Sequence, residues 1–470
     1  MMNTELDART RRKMTFIAMI VALGGLLFGY NTGVTNGAIS FMKLPSELDL
    51  TPFTEGAVVS VLTLGAAIGA IFGGTLSDRF GRKTVISYLA AIFLIFSVLC
   101  TLAPNVLSMI LFRFALGLAV GGASVTVPTY LAEISTVEMR GKIVTVNELM
   151  VVSGQFLAFV VSAILGTIFA EYSSIWRYIL LVAALPAAGL IIGLFRIPES
   201  PRWLFHHKGP QSTLAALNKI RPQHIAQAEI DSLGNIPIPS REPKQAFSVK
   251  ELWSPPFRRL LLVGMCLGGI SQLIGINVIM YYGTTILGEA GFGSTASLYA
   301  NTANGLISVL AVVVGMNLMH RVDRRKMLIV GIVGTLVSMF AITSLLWTMM
   351  GSPILPYLVI GLTVVFIAFF QGCIGPIVFL LLSEMFPQKL RGFGVGLSTF
   401  ALWMCNFVVS FVFPLLLSGI GLAHTFLIFT LFNAVGLLFA IKCVPETRGR
   451  SLEQIERELH APLSKQPVTE

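Results

Sequence analysis

The sequence predicts an all-α membrane protein with twelve transmembrane helices, arranged as two pseudo-symmetric six-helix bundles. Of the 470 residues, 55% are hydrophobic and 12% are charged, whereas soluble domains average roughly 25% charged residues. Uncharged stretches of about 20 residues or more, enough to cross a bilayer, recur along the chain. Landmarks of the first half also return in the second. This composition excludes a soluble enzyme, a disordered chain and a collagen-like fibre.

Six spans are predicted in the first half of the chain. The stretch Thr84–Ala132 is interrupted only by Arg113 and contains a Pro104-Asn105 break, so it holds two helices. The other four spans each occupy one uncharged stretch: Met14–Met42, Gly56–Ser77, Leu149–Ala170 and Tyr178–Phe195.

A polar segment, Arg196–Arg259, separates these spans from six more. It contains Gln211–Leu233, which is predicted to form short amphipathic helices broken at Pro222. Two of the last six spans each occupy one uncharged stretch, Leu260–Gly288 and Ala290–Met319. The other four come from two longer stretches that each split at a turn signal: Met327–Ser383 at Gly351-Ser352-Pro353, and Gly392–Ile441 near Gly419–Gly421. The predicted units are therefore residues 1–195, a linker of residues 196–259, residues 260–444 and a tail of residues 445–470.

The basic residues predict the orientation of the chain. The sequence has 33 Lys and Arg residues, and all but Lys43, Arg113 and Arg177 fall on one side of the predicted spans. Cytoplasmic loops of membrane proteins carry such an excess, so both termini and the linker are expected in the cytoplasm and the protein in the plasma (inner) membrane. The net charge of +10 is then a topology signal, and no nucleic-acid partner is expected.

An internal repeat relates the two halves. Two parallel six-helix repeats imply an axis along the membrane normal, with a substrate site between the repeats. Three landmarks recur at offsets of about 250 residues: Gly73–Lys83 with Arg321–Lys326, Glu133–Gly141 with Glu384–Gly392, and Pro198–Arg202 with Pro445–Arg450.

These landmarks resemble the sugar porter branch of the major facilitator superfamily. Gly73–Lys83 resembles the superfamily loop between spans two and three, and Pro198–Leu204 and Pro445–Leu452 resemble markers of the sugar branch. Gln272–Tyr282 resembles the span-seven signature of that branch. The resemblance covers nearly the whole chain and implies the major facilitator fold, with alternating access of a sugar or polyol, often together with a proton.

Polar and aromatic residues inside the spans are the candidate substrate ligands. Sugars and polyols present many hydroxyls, so their sites need amide donors and acceptors together with rings that cover apolar faces. For any one amide, a role in helix–helix contact is an equal alternative. The resemblance places ligands at the matching positions: Glu148, Gln155, Gln272, Asn277, Asn301, Asn304, Phe379, Trp403 and Asn406.

Three of these positions depart from the common sugar-porter pattern. Many members have two adjacent glutamines in span seven, where this chain has Ser271-Gln272, and a tryptophan in span ten, where it has Phe379. Many have a glutamine in span five, where this chain has Glu148. Asn147–Met150 and Ser398–Trp403 resemble bacterial myo-inositol transporters, and six hydroxyls suit a carboxylate acceptor. We therefore expect myo-inositol as the substrate, with a hexose or pentose as the alternative.

Charged residues at the predicted cytoplasmic helix ends are candidates for an inner gate. Charge networks of this kind hold a gate closed in one state and break in another, although topology-setting charge alone is the simpler alternative. The candidates are Asp78, Arg79, Arg82, Glu133 and Arg140 in the first half and Arg321, Arg324, Glu384 and Arg391 in the second.

Proton coupling depends on three residues. Arg113 is an ionisable residue inside span four, and such residues are costly and usually functional. In proton-coupled sugar porters a span-one aspartate lies near this arginine, but the matching residue here is Asn31. An amide cannot titrate, so either Glu148 carries the proton or the protein is a proton-independent facilitator.

Other functional classes lack their characteristic residues. The six histidines and five cysteines show no metal-ligand, redox or nucleophile–base spacing, so we expect no catalytic residues, metal or cofactor. No Gly-x4-Gly-Lys-Ser/Thr loop is present for a nucleotide-driven pump. A transport-inactive sugar receptor is the remaining alternative. The expected partners are a small sugar or polyol, a proton and the lipid bilayer, and the expected state is a monomer.

Overall fold

The computed structural model describes residues 8–136, 140–235, 255–319, 321–386 and 391–448. Its helices are α1 (Ala8–Met42), α2 (Pro52–Phe80), α3 (Arg82–Thr101), α4 (Val106–Ile134), α5 (Arg140–Ile168), α6 (Ile175–Leu181), α7 (Ala184–Leu194), α8 (Pro201–Asn218), α9 (Gln223–Asn235), α10 (Pro255–Leu273), α11 (Ile276–Glu289), α12 (Ser294–Met319), α13 (Arg324–Thr348), α14 (Leu355–Phe369), α15 (Gly375–Met385) and α16 (Arg391–Cys443).

The described residues contain eleven apolar helical stretches long enough to cross a membrane. The last of them, Gly392–Cys443, contains two crossings, because Gly421 leaves the helical conformation with φ 79° and ψ 169°. Twelve spans result, as the sequence predicts. Spans one to five are α1 to α5, span six is α6 with α7, and span seven is α10 with α11. Spans eight, nine and ten are α12, α13 and α14 with α15, and α16 holds spans eleven and twelve.

Local sequence explains several of the helix ends. Span four begins after Asn105, whose side-chain oxygen accepts the backbone N–H of Ser108 at 2.9 Å, in a capping box that follows the predicted Pro104 break. Thr51 and Thr54 form the same arrangement before span two. In the polar segment, Pro222 separates α8 from α9. The predicted breaks near Pro104, Pro222 and Gly421 are therefore confirmed.

Three spans depart from regular α-helical hydrogen bonding inside the membrane, at places that the predicted spans treated as continuous. Span six stays right-handed helical between α6 and α7, where the N–H of Ala183 bonds to the carbonyl of Leu180 at 3.1 Å, three residues back instead of four. Span ten contains a π-helical segment, Phe370–Ile374, just before Pro376. Span seven breaks at Gly275, which adopts φ 100°. Asn433 of span twelve donates to the carbonyl of Ile274 at 2.9 Å, which satisfies a group exposed by the break.

Small residues allow the spans to pack closely. A Cβ on Gly29 of span one would lie 1.8 Å from the carbonyl oxygen of Val151 in span five, and a Cβ on Gly121 of span four would lie 2.0 Å from that of Ala66 in span two. Only glycine permits such backbone contact between membrane helices. These contacts hold spans one, two, four and five together and fix the side chains between them.

The polar segment is attached to the first six spans at the junction between α8 and α9. Arg221, between α8 and α9, donates to the carbonyl oxygen of Ile134 at 2.6 Å, at the end of span four, and forms an ion pair with Glu229. Burial lowers the pKa of the Arg221 guanidinium to about 10. The buried Arg221 caps the C-terminal end of span four and so holds the polar segment against it.

Candidate functional site

The face of span five that is directed at the last six spans carries the first two candidate ligands, Glu148 and Gln155. Glu148 and Gln155 are seven residues apart and therefore share one face. Phe159 lies on the same face and, with Phe156, packs against the backbone of Gly305 in span eight, so this face is directed at the last six spans. Glu148 is exposed although the helix is enclosed at the level of Phe159. The gap between the two sets of spans is thus open to solvent at Glu148.

Gln155 is fixed by span one. Its side-chain nitrogen donates to the hydroxyl of Thr32 at 3.1 Å, while its side-chain oxygen is buried without a hydrogen-bond partner among the described residues. A buried unpaired acceptor costs about 1–3 kcal/mol. A substrate hydroxyl that donates to this oxygen would remove that cost.

The break in span seven brings Gln272 and Asn277 together. The Asn277 side chain donates to the Gln272 side-chain oxygen at 2.5 Å, and Gln272 donates to the Ser271 hydroxyl at 2.9 Å. In a continuous helix, residues five apart would be poorly aligned, as the sequence suggests. Because Gly275 redirects the chain, the three polar groups instead form one connected row.

Span eight presents a second amide pair, which is fully buried. Asn304 donates to the side-chain oxygen of Asn301 at 3.1 Å and accepts the hydroxyl of Thr363 in span ten at 3.2 Å. A Cβ on Gly283 of span seven would lie 2.2 Å from the Asn301 oxygen. Asn301 and Asn304 therefore join spans seven, eight and ten, which is compatible with both a ligand role and a packing role.

Spans ten and eleven contribute the aromatic candidates. Phe379 is 51% exposed, whereas Val378 and Leu382 of the same helix are buried. Trp403 is buried, with its ring centroid 5.8 Å from that of Phe28 in span one. Asn406, one turn further, accepts the hydroxyl of Ser410 at 3.1 Å. The Trp403–Phe28 contact joins the two sets of spans at the level of the amides.

Arg113 lies between the sets of spans and is 2% exposed. Its Nη2 donates to the hydroxyl of Thr35 in span one at 2.8 Å, and its Nε has no hydrogen-bond partner in the described part of the chain. Within the described residues, Arg113 makes no ion pair with a carboxylate. Asn31, one turn before Thr35, turns back to its own helix and donates to the carbonyl of Leu27 at 3.0 Å. The guanidinium is thus held by a hydroxyl and not by Asn31.

Spans one to six and spans seven to twelve form two sets, which meet at one end of the molecule. This end lies opposite the loops that carry most of the Lys and Arg residues, called the basic loops, and Asn36 is central to the contact. Its side-chain nitrogen donates to the carbonyl of Met280 at 2.8 Å, and its side-chain oxygen accepts the N–H of Thr284 at 2.9 Å. The Thr284 hydroxyl donates to the Asn36 carbonyl at 2.6 Å. Tyr282, between these partners, departs from helical geometry, so Asn36 binds backbone groups at a kink in span seven.

A second contact at this end joins spans two and eleven. A Cβ on Gly56 would lie 2.3 Å from the carbonyl oxygen of Phe411, and the rings of Phe53 and Phe411 meet edge to face at 5.3 Å. The adjacent Glu55 is buried and pairs with Lys43 at 2.9 Å. With the Asn36 contacts, this packing closes the end of the molecule opposite the basic loops.

At the basic end, the candidate gate charges pair within each set of spans. Arg82 contacts Asp78 at 2.7 Å and Glu133 at 3.0 Å. In the second set, Arg324 contacts Glu384 at 3.6 Å.

The other gate candidates are arranged around these pairs. Arg79 lies 5.2 Å from the ring of Phe80, and the Arg321 carbonyl accepts a hydrogen bond from Arg448. The side chains of Arg140 and Arg391 fall outside the part of the chain that the structure describes.

Two glutamates of the repeated Pro-Glu motifs cap helices in the same way. The Glu199 carboxylate accepts the backbone N–H of Lys83 at 2.8 Å and that of Thr84 at 3.3 Å, at the start of span three. The Glu446 carboxylate accepts those of Arg324 and Arg325 at 3.1 and 3.0 Å, at the start of span nine. A carboxylate at a helix N-terminus is stabilising. One motif therefore anchors the loop before span three, and the other anchors the loop before span nine.

The turns before these two helices differ. Gly81 adopts φ 100°, with the space at its α-carbon occupied by Glu199. Asp323, at the matching position, has φ −63° and pairs with Lys326 at 3.0 Å. Hydrogen bonding from Lys326 lowers the pKa of Asp323.

Sequence reasoning missed Thr35, Asn36 and the Lys43–Glu55 pair. Asn36 and Met280 are 244 residues apart, so no local pattern connects them. The available signal was Asn36 itself, a polar residue inside a predicted span. Its partners can be recognised only once the kink in span seven is known.

Residues 17–459 match the family described as "Sugar (and other) transporter". The chain belongs to this family. It is therefore a multi-pass integral membrane protein with the twelve-span major facilitator fold, and a member of a family of transporters.

One curated relative and two solved structures illustrate the similarity. The major myo-inositol transporter IolT of Bacillus subtilis is 50% identical over 96% of this chain and 95% of its own length. The xylose transporter XylE of E. coli, in a partially occluded inward-open conformation, has a TM-score of 0.80 at 25% identity, covering 94% of this chain and 100% of that chain. The proton:xylose symporter XylE bound to 6-bromo-6-deoxy-D-glucose has a TM-score of 0.73 at 25% identity, covering 96% and 100%.

Proposed function

We propose that this protein transports myo-inositol across the plasma membrane by alternating access. The observation that carries the proposal is Glu148, a carboxylate exposed in the gap between the two sets of spans. Identity of 50% to a myo-inositol transporter over nearly the whole chain supports the same substrate.

The polar groups around the gap suit a ring with a hydroxyl on every carbon. Glu148 supplies a charged acceptor, and the unpaired oxygen of Gln155 supplies a second acceptor two turns away. Gln272 and Asn277 add amide groups from the opposite side, where Phe379 offers an exposed ring. Bound substrates of this kind need a few directed polar groups on an apolar wall. Asn301, Asn304, Trp403 and Asn406 form the buried part of the proposed site.

The proposed organisation follows the sequence units. Residues 1–195 and 260–444 form the two moving bundles, residues 196–259 link them, and residues 445–470 form a tail. The basic end, with both termini, faces the cytoplasm in this proposal, which the excess of Lys and Arg there supports. The working unit is a monomer, because the substrate gap lies inside one chain.

The charge clusters at the basic end serve as the inner gate in this proposal. In the present state the pairs Arg82–Glu133 and Arg324–Glu384 lie within their own bundles, and the gap at Glu148 is open. The higher TM-score to an inward-open structure than to the sugar-analogue complex supports an inward-facing state. In the outward-facing state the clusters would approach one another and close the cytoplasmic end.

Competition in whole cells tests the substrate. Uptake of radiolabelled myo-inositol by cells that express the protein should be reduced more by unlabelled myo-inositol than by glucose, xylose or galactose at the same concentration. Equal or stronger competition by glucose would contradict the proposal and favour a hexose transporter.

Substrate transport is either coupled to a proton or independent of it, and one observation favours each scheme. Exposure of Glu148 in the gap favours symport, with this carboxylate binding the proton near the substrate. The contact of Arg113 with Thr35, in place of an acid, favours a proton-independent facilitator. Accumulation of substrate in proteoliposomes under an inward proton gradient distinguishes the two, because a facilitator only equilibrates its substrate.

A further inference from the structure

A cleft of about 300 Å³ lies at the basic end, outside the sugar pathway. Its walls come from the start of span three, the end of span six and helix α8, and they include Lys83, Phe195, Arg196, Glu199, Ala216 and Lys219. Residues of span five and of the last six spans do not line it. The cleft is therefore a feature of the first bundle and its linker.

Three cations converge on this cleft. Lys83 is half-buried, and Arg196 and Lys219 are exposed. Among the described residues, none of the three forms an ion pair within 4 Å. The charges of Lys83 and Lys219 are close enough to repel each other, and Lys13 adds a fourth cation by donating to the Lys219 carbonyl at 3.2 Å. An anion in the cleft would relieve this repulsion.

Among the described residues that line the cleft, the one acid, Glu199, is already engaged. Glu199 attracts the charge of Lys83, but its two oxygens accept the backbone N–H groups of Lys83, Thr84 and Ser200. Its charge is therefore directed at the N-terminus of span three. The cations outnumber the acid, and the cleft retains a positive balance.

The position of the cleft indicates where an occupant comes from. Span six ends at Leu194, and Phe195 directly after it is 82% exposed at the rim. Ile192, one turn earlier, is also exposed on the outer surface of the span. Apolar side chains in such places face lipid tails in a membrane protein. The basic wall thus meets the lipid-facing surface at the level where headgroups lie.

We propose that this cleft binds the headgroup of an anionic phospholipid. The phosphate oxygens accept hydrogen bonds from Lys83, Arg196 and Lys219, and the acyl chains follow span six past Phe195. Basic pockets between membrane helices on the cytoplasmic side bind such headgroups. A bound lipid would bridge span three, span six and the linker helix, which stabilises the first bundle.

Charge variants and thermal unfolding test this site. The purified protein in detergent is titrated with phosphatidylglycerol, with phosphatidylcholine, or with inorganic phosphate, and the Tm is followed. Phosphatidylglycerol should raise the Tm of the wild-type protein at much lower concentration than the other two. In Arg196→Gln/Lys219→Gln the midpoint of this effect should move about 30-fold higher, since each cation near an anionic headgroup contributes about a fivefold gain in affinity.

The matched control is Arg202→Gln/Lys208→Gln, which removes two exposed cations of α8 that do not line the cleft. Its midpoint should stay at the wild-type value, and Lys219→Gln alone should give about a fivefold shift. An unchanged midpoint in the cleft variant, or an equal shift in the control, would overturn the site. Equal potency of inorganic phosphate would overturn the lipid as its occupant. The readout needs no sugar, so its failure is separate from failure of the proposed function.

Discussion

Arg113 is a buried cation whose present partner is a neutral hydroxyl. A lone charge in the membrane interior is costly and is usually kept for function. Thr35, which accepts from Arg113, lies one turn after Asn31 on the same face of span one. An acid at position 31 would therefore lie beside the guanidinium and would form an ion pair that a proton could break.

Asn31→Asp should make transport depend on the proton gradient. With an inward proton gradient, uptake by this variant in proteoliposomes should exceed uptake at equal pH, because protonation of the new carboxylate releases Arg113 and lets the bundles move. Asn31→Gln is the control, since it keeps an amide at the position. Gradient-independent uptake by Asn31→Asp, at a rate equal to that of the control, would show that Arg113 is not a coupling partner.

Glu148 is the carboxylate that the structure exposes in the gap. If it carries the proton, Glu148→Gln should abolish accumulation driven by the gradient while leaving exchange of substrate measurable, because a glutamine keeps the hydrogen-bonding shape but cannot titrate. The two rates are compared in the same proteoliposomes, with Glu171→Gln as a variant of an exposed acid in the loop after span five. Loss of both accumulation and exchange would assign Glu148 to substrate binding alone.

Sequence patterns could identify polar candidates but not their partners. Gln272 and Asn277, five residues apart, would be poorly aligned in a continuous helix, and the left-handed Gly275 makes them contact directly. The hydrogen bond from Asn31 to its own helix, one turn from the Thr35 that holds Arg113, is also absent from any local pattern. Both outcomes depend on backbone conformation and on contacts between distant spans, which local residue patterns do not encode.

At the scale of the helices, the interrupted spans are the parts best suited to movement. Span seven has two irregular points, at Gly275 and Tyr282, and Asn36 binds the second one from the opposite bundle. Breaks in a membrane helix are tolerated when neighbours satisfy the freed backbone groups. Asn36 therefore stabilises the kink only while the two bundles are in contact at this end.

Asn36→Ala should weaken the closed end. Loss of these buried hydrogen bonds costs about 1–3 kcal/mol, which corresponds to roughly a 5- to 150-fold shift toward states open at that end. Spin labels at Ser46 and Ser294, both exposed at that end, would show longer distances in this variant. Asn317→Ala, which removes an exposed asparagine bonded to its own helix, should leave the distance distribution unchanged. Identical distributions for Asn36→Ala and wild type would exclude a closing role.

Helix boundaries were predictable where capping or turn residues mark them. Asn105 begins a helix and Pro222 and Gly421 separate helices as expected, because each residue has a local conformational reason to do so. The irregular turn of span six and the π-helical segment of span ten were not predicted. Uncharged sequence looks alike on both sides of such breaks, and their stability comes from packing by neighbouring spans.

For the whole molecule, the arrangement of contacts defines one state of a transport cycle. The bundles touch through Asn36 and Gly56 at one end, and the gap at Glu148 is open toward the other. Twelve spans, their repeat and the family were all available from composition and motifs. The state itself was not, because one sequence must support both the inward-facing and the outward-facing arrangement.

Counterflow in liposomes containing only the purified protein tests alternating access of myo-inositol most directly. Liposomes loaded with unlabelled myo-inositol and diluted into labelled myo-inositol should show a transient excess of label inside, without any ion gradient, because each returning carrier exchanges one molecule for another. Liposomes loaded with glucose should show little or none. A label excess with glucose loading, and none with myo-inositol loading, would contradict the account.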